Sequence, residues 1–182
     1  MLRKGSGALL FDHLRFQPRA SSGSELHCLL LDCSGSMLKQ HNLALAKGLL
    51  VQLCEQLYRR RSELAVIIFA GRQAHVVQAP RKVAVFNLGW IAPIGGGGSS
   101  PLASGVEQAE RLLAQARRRA PGQRRYLWLL SDGRFPELPV RPRHADECRV
   151  VDFDNATVPL GRAARIAERW QAQYCRAEQW RG

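Results

Sequence analysis

The sequence predicts a doubly wound α/β domain, a mostly parallel sheet with helices on both faces, and three observations support this. Apolar runs such as Leu26–Leu31 are continuous rather than alternating, as in strands buried on both sides. Stretches with apolar residues at helical spacing separate those runs. Two of the runs also stop at a carboxylate, Asp32 and Asp132, where open α/β sheets place their ligands. At 182 residues with 46% hydrophobic content, the chain suits one domain with a sizeable core and is too apolar for disorder.

The elements follow in order. Residues 1–25 are mixed, with Pro18 and the Ser-rich Ser21–Ser24, and read as an N-terminal arm or leader. Leu26–Asp32 is the first strand. Leu43, Ala46, Leu50, Leu53 and Leu57 place a helix over 38–58, ending in Arg59–Arg61. Leu64–Phe69 is the second strand, Gly71 a turn, and His75–Gln78 a short third strand bounded by Pro80. Residues 82–91 carry a weak helical pattern. Gly95–Gly98 and Ser99–Pro101 form a flexible loop, with Pro101 suited to a helix's first turn. The next helix carries Leu102, Val106, Ala109, Leu113 and Ala116 and ends in Arg117–Arg119. Tyr126–Ser131 is a buried strand, and 134–147, with Pro136, Pro139 and Pro142, has no helix signal. Arg149–Phe153 is a further strand, and Leu160, Ala163, Ala164, Ala167 and Trp170 mark a last helix. The domain is expected over 26–178, with a tail at 179–182. There is no internal repeat.

The charge excludes an acidic solvating protein. Lys and Arg total 27 against 15 acids, giving +12, and only four of the basic residues are Lys. That balance suits nucleic acid, an anionic ligand or an acidic protein partner. No apolar run approaches the ~20 residues of a membrane span. Nor does an apolar signal-peptide core precede Asp12. The five cysteines, Cys28, Cys33, Cys54, Cys148 and Cys175, form no CxxC pair and have no zinc-ligand spacing. Reduced, mostly buried thiols and a cytoplasmic location are expected.

Three polar loops should meet beyond the strand ends: Asp32-Cys-Ser-Gly-Ser36, the Gly-rich loop ending in Ser100, and Asp132-Gly133. They supply two carboxylates and several hydroxyls, with no Lys and no His. Hard oxygen donors of this kind suit Mg²⁺ or Mn²⁺. The spacing of Asp32, Ser34 and Ser36 lets a tight loop aim alternate side chains at one centre.

On these residues the chain resembles a von Willebrand factor A (VWA) domain, a Rossmann-like fold. The motifs are Asp32-x-Ser34-x-Ser36, Gly-Gly-Ser-Ser100-Pro-Leu-Ala and Leu-Leu-Ser-Asp132-Gly-Arg. The resemblance implies a metal-ion-dependent adhesion site (MIDAS) held by Asp32, Ser34, Ser36, Ser100 and Asp132. A finer resemblance is to the VWA part of the magnesium chelatase D subunit and related cobaltochelatase subunits. It rests on Leu31-Asp-Cys-Ser-Gly-Ser-Met37, Phe69-x-Gly, Ser131-Asp-Gly-Arg134 and Val-Val-Asp152. Ser100 stands where that family has Thr, Cys33 replaces a small residue, and 134–147 is short and Pro-rich where a helix is usual. The ATPase-like half of a D subunit is absent from this sequence.

The resemblance implies a non-catalytic, Mg-dependent interaction subunit working with an AAA+ ATPase. The system would insert a metal into a tetrapyrrole held by a large chelatase subunit, or the chain would be an adaptor of a MoxR-type AAA+ ATPase that remodels another protein. A partner's acidic residue would complete the metal's coordination, with Arg72 and Arg134 flanking the site. Catalysis by the chain alone is not expected. It lacks a Gly-x-Ser-x-Gly elbow and the Gly-Lys-Ser/Thr end of a P-loop, and no His falls in the three loops. The clusters Arg59–Arg61, Arg117–Arg119, Arg124 and Arg125 fall opposite the site, as a solvated face, a surface for an acidic protein or, less favourably, one for RNA. No aromatics interleave with them for base stacking, and cations at helix ends already suit the macrodipole.

Overall fold

A computed structural model describes residues 24–84 and 88–180. Nine main elements run along the chain: β1 (Glu25–Asp32), α1 (Asn42–Arg59), β2 (Glu63–Ala70), β3 (Gln73–Lys82), α2 (Leu102–Arg119), β4 (Arg124–Ser131), β5 (Glu147–Asp152), α3 (Arg162–Trp170) and β6 (Gln173–Arg176). They build one six-stranded sheet ordered β3-β2-β1-β4-β5-β6. Only β3 is antiparallel to its neighbour.

The continuous apolar runs are explained by burial on both faces. Leu26, Cys28 and Leu30 of β1 point towards α2 and α3, with Leu113, Ile166 and Trp170. Leu29 and Leu31 point the other way, towards Leu50, Leu53 and Leu57 of α1. A strand between two helical layers needs apolar side chains at every position. The strand order reverses between β1 and β4, which places the sheet's crevice beside the ends of those two strands.

Several boundaries differ from the sequence reading. A short 3-10 turn occupies Lys39–His41, and α1 begins only at Asn42 because His41 takes a left-handed backbone, φ 61°. The third strand runs through Pro80 to Lys82. It lies at the sheet edge and its register with β2 shifts near Val66, so Pro80's missing N–H breaks no interior ladder. No helix forms over the described part of 82–91; residues 85–87 lie outside the described set. The last helix starts at Arg162 rather than Leu160, because Gly161 (φ 65°) turns the chain and Asp154 Oδ2 holds the Leu160 N–H at 2.8 Å. The sixth strand went unforeseen. Gln179 closes a further 3-10 turn, and Trp180 packs on Trp128 with ring centroids 5.2 Å apart, so packing continues beyond 178. Of the arm at 1–25, residues 1–23 lie outside the described set, and Glu25 already belongs to β1.

Segment 134–146 is irregular and bridges α2 and α3. Phe135 and Ala145 join the core, Trp170 donates to the Pro139 carbonyl (3.0 Å), and His144 contacts Glu110.

Candidate metal centre

The ends of β1 and β4 deliver the two acids, and backbone hydrogen bonds clasp the loops between them. Asp32 is the last residue of β1, and Asp132 follows Ser131, the last of β4. The Gly-rich loop is stitched to the β1 loop by Gly35 N–H to Gly98 O (2.9 Å) and Gly97 N–H to Cys33 O (2.7 Å). It is stitched to the β2–β3 turn by Gly71 N–H to Ser99 O (2.9 Å). The approach is so close that a Cβ on Gly96 would lie 2.3 Å from the Cys33 carbonyl oxygen. The glycine run thus reflects contact as well as pliability.

Asp32 is completely buried, and its carboxylate is surrounded by donors. Oδ1 accepts the Ser34 N–H (2.9 Å), while Oδ2 accepts the hydroxyls of Ser100 (3.0 Å) and Ser131 (2.5 Å). Burial pushes its pKa up and the nearby Asp132 charge adds to the rise, opposed by the Ser131 and Ser34 hydrogen bonds. Among the described residues no cationic side chain bonds to Asp32. Ser34 and Ser36 hydroxyls lie 3.1 Å apart. Asp132 is almost fully buried, accepts the Arg134 N–H at 3.2 Å, and has the Arg134 guanidinium 3.7 Å from Oδ2. Ser36, Asp132 and Arg134 line a cleft of about 120 Å³ with Lys39, Asp154 and Asn155.

The five residues singled out from the sequence therefore occupy one locality. Hydrogen bonds link Asp32, Ser34, Ser36 and Ser100, and Ser131 joins Asp32 to the Asp132-Gly133 turn through its bond from Gly133 N–H (3.0 Å). Arg134 stands at the rim. Arg72 is exposed beside Gly71 and makes no side-chain hydrogen bond or ion pair among the described residues. Cys33 faces the core, where burial pushes its thiol up to about 12, so it is no part of the donor set.

The donor set fits a small hard cation. Asp32 is bonded to hydroxyls and Asp132 has the Arg134 guanidinium at 3.7 Å, so among the described residues two buried carboxylates face one rim cation, an arrangement that is costly unless further positive charge is supplied. Among the described residues no three His, Cys, Asp or Glu side chains cluster as a metal group, so an ion here would depend on the Ser hydroxyls.

Sequence reasoning did not assign Ser131, Asn42 or Asp154 to this region. Ser131 has the signal of immediately preceding Asp132. Asn42 donates to the Phe153 carbonyl (3.0 Å), and Asp154 accepts the Ala156 and Leu160 N–H groups, shaping the cleft wall. Neither has a local signature, because their partners are distant in sequence or formed by the loop itself.

At the opposite end, Arg125 does not join the expected basic surface. It is buried, with Nη2 bonded to Asp146 (2.8 Å), Nε to the His144 carbonyl (2.9 Å) and Nη1 to the Gln123 carbonyl (2.9 Å). Arg119 and Arg124 pair with Glu63 and Glu147. Arg59–Arg61, Arg117 and Arg118 remain exposed.

Comparisons with known proteins agree with this architecture. The sequence profile of the von Willebrand factor type A domain matches residues 28–134. An uncharacterized protein of Mycobacterium tuberculosis is 30% identical over 179 residues, covering 92% of this chain and 28% of that protein. The magnesium-chelatase 60 kDa subunit of Cereibacter sphaeroides is 36% identical over 104 residues, covering 57% of this chain and 18% of that subunit. The chain thus spans less than a third of these relatives' lengths. Among solved structures, BatB from Bacteroides thetaiotaomicron aligns with a TM-score of 0.64 at 16% identity, covering 84% of this chain and 90% of BatB. The SpRpn10 VWA domain aligns with a TM-score of 0.62 at 14% identity, covering 84% of this chain and 87% of that one. No helix among the described residues is long and apolar enough to cross a membrane. The sheet order, the loops at the strand ends and the profile match agree: the chain belongs to the von Willebrand factor type A domain family.

Proposed function

We propose that this domain is a Mg²⁺-dependent protein-interaction subunit that acts with an AAA+ ATPase, in a chelatase-like assembly that inserts a metal into a tetrapyrrole. The observation that carries the reading is Asp32, a fully buried carboxylate held by three protein donors with no cation against it among the described residues. Asp32, Ser34, Ser36, Ser100 and Asp132 would hold Mg²⁺ or Mn²⁺. A bound ion would supply the positive charge and Lewis acidity that suit a partner's carboxylate. The chain's own residues do the rest. Ser100 and Ser131 fix the Asp32 carboxylate, the clasped glycine loop keeps Ser100 in place, and Arg134 at the rim favours an incoming acid. The likeness to magnesium-chelatase subunits supports the choice of assembly.

The test is a pull-down of native partners by the tagged chain in Mg²⁺ and in EDTA. Recovery of an AAA+ protein with a tetrapyrrole-binding subunit, lost in EDTA and lost with Asp32→Ala, supports the chelatase assembly. A lone AAA+ protein recovered under the same dependence points to a general adaptor of a MoxR-type motor. Equal capture in EDTA, or by the variant, overturns the metal-dependent reading, and recovery of RNA alone overturns the protein-partner reading.

A further inference from the structure

A second concave site lies away from the metal loops. Between the later half of α1, strands β5 and β6 and the C-terminal turn is a pocket of about 320 Å³, at the small end of ligand-site volumes. It reaches His27, five residues before Asp32, or ~16 Å along β1. None of the five candidate metal ligands lines it.

The chemistry of its wall is one-sided. Arg60 and Arg149 line it, and among the described residues no Asp or Glu does. The Arg149 guanidinium lies over Trp128, 4.6 Å from the ring centroid, and 5.2 Å from that of Tyr126. Its nearest carboxylate, on Glu147, is 3.7 Å away and is shared with Arg124. His27 adds no charge: Trp128 Nε1 donates to its Nδ1 at 3.0 Å, and burial lowers its pKa to about 4. Trp128 and Trp180 give the pocket an aromatic side. Two N–H donors in this wall, Arg149 Nε and Trp180 Nε1, are buried without an acceptor. Folded proteins rarely leave buried donors so.

We infer that this pocket binds a planar heteroaromatic anion of mononucleotide size. The ring packs against Trp180 at the aromatic side of the pocket, and the anionic oxygens take charge-assisted hydrogen bonds from Arg149 and Arg60. Binding is the whole of the inference. It stands independently of the metal-dependent function proposed above.

The test is a tryptophan-fluorescence titration of the full chain with AMP and with GMP, set beside adenosine and inorganic phosphate. At least one nucleotide is expected to give a saturable change with Kd below ~1 mM, with each half-molecule at least about tenfold weaker. Arg149→Gln is expected to weaken that nucleotide about tenfold. Because Arg149 also packs on two rings, Arg60→Gln is the second variant. It is exposed at the end of α1, should melt like the parent, and should weaken binding several-fold. Absence of saturation with both nucleotides overturns the inference. So does phosphate binding as tightly as the nucleotide, or unchanged affinity in both variants.

Discussion

Both ends of the sheet bury charge, but they treat it differently. At the amino ends of the strands, Arg125 is buried with its guanidinium bonded to Asp146 and to two backbone carbonyls. At the carboxyl ends, Asp32 is buried just as deeply, and every partner it has among the described residues is a neutral donor. A buried ion with a counter-ion and satisfied hydrogen bonds is a finished piece of structure; one without is a site short of a charge. That difference fits stability at one end and the proposed metal binding at the other, although both carry conspicuous charged residues in the sequence.

The contrast can be broken by substitution. Arg125→Ala leaves the His144 and Gln123 carbonyls unanswered and removes a buried side chain, while the exposed Asp146 keeps its backbone N–H partner; it should cost roughly 2–4 kcal/mol in urea unfolding at neutral pH. Asymmetry also appears in the pH dependence. His27 titrates near 4 in the fold against 6.5 when unfolded, because burial disfavours its charge and its Nδ1 faces a donor. The unfolded chain therefore binds the proton more readily. This contribution to stability is complete above pH 6.5 and is lost as pH falls through about 4, roughly 3 kcal/mol in all. Comparing unfolding midpoints of the parent and His27→Gln at pH 7.5 and 4.5 isolates it from Asp32 and Asp152, whose raised pKa values act in the opposite sense.

Smaller effects sharpen the picture at the metal end. Gly96→Ala forces its Cβ onto the Cys33 carbonyl, and should cost roughly 1–3 kcal/mol while weakening Mg²⁺-dependent partner capture. Asp32→Asn should change metal-free stability by no more than about 1 kcal/mol, since the Ser100 and Ser131 hydroxyls can turn to accept from an amide. The same variant should abolish any rise in melting temperature on adding Mg²⁺. A loss matching that of Arg125→Ala would erase the distinction between the two ends.

Much of the fold was legible because its signals are local. Continuous apolar strands, helical spacing in 43–57 and 102–116, and acids at two strand ends are all patterns of neighbouring residues. Where the reading slipped, the deciding contact was distant. Pro80 looks like a strand boundary, yet it is tolerated because β3 lies at an edge. Arg125 looks like the last of a basic cluster until Asp146, 21 residues on, folds back over it. The strand β6 is four residues long and only half-buried at best, so its composition carries little pattern.

The sequence by itself determined the layered α/β class and the three polar loops, because side-chain periodicity and strand-end acids follow from local covalent geometry. Tertiary structure decided which charges are answered. It paired Arg125, left Asp32 among hydroxyls, and assembled Arg60, Arg149, Trp128 and Trp180 from four separate segments around one pocket. Burial and electrostatic pairing depend on what the rest of the chain brings within a few ångströms, and no local pattern encodes that.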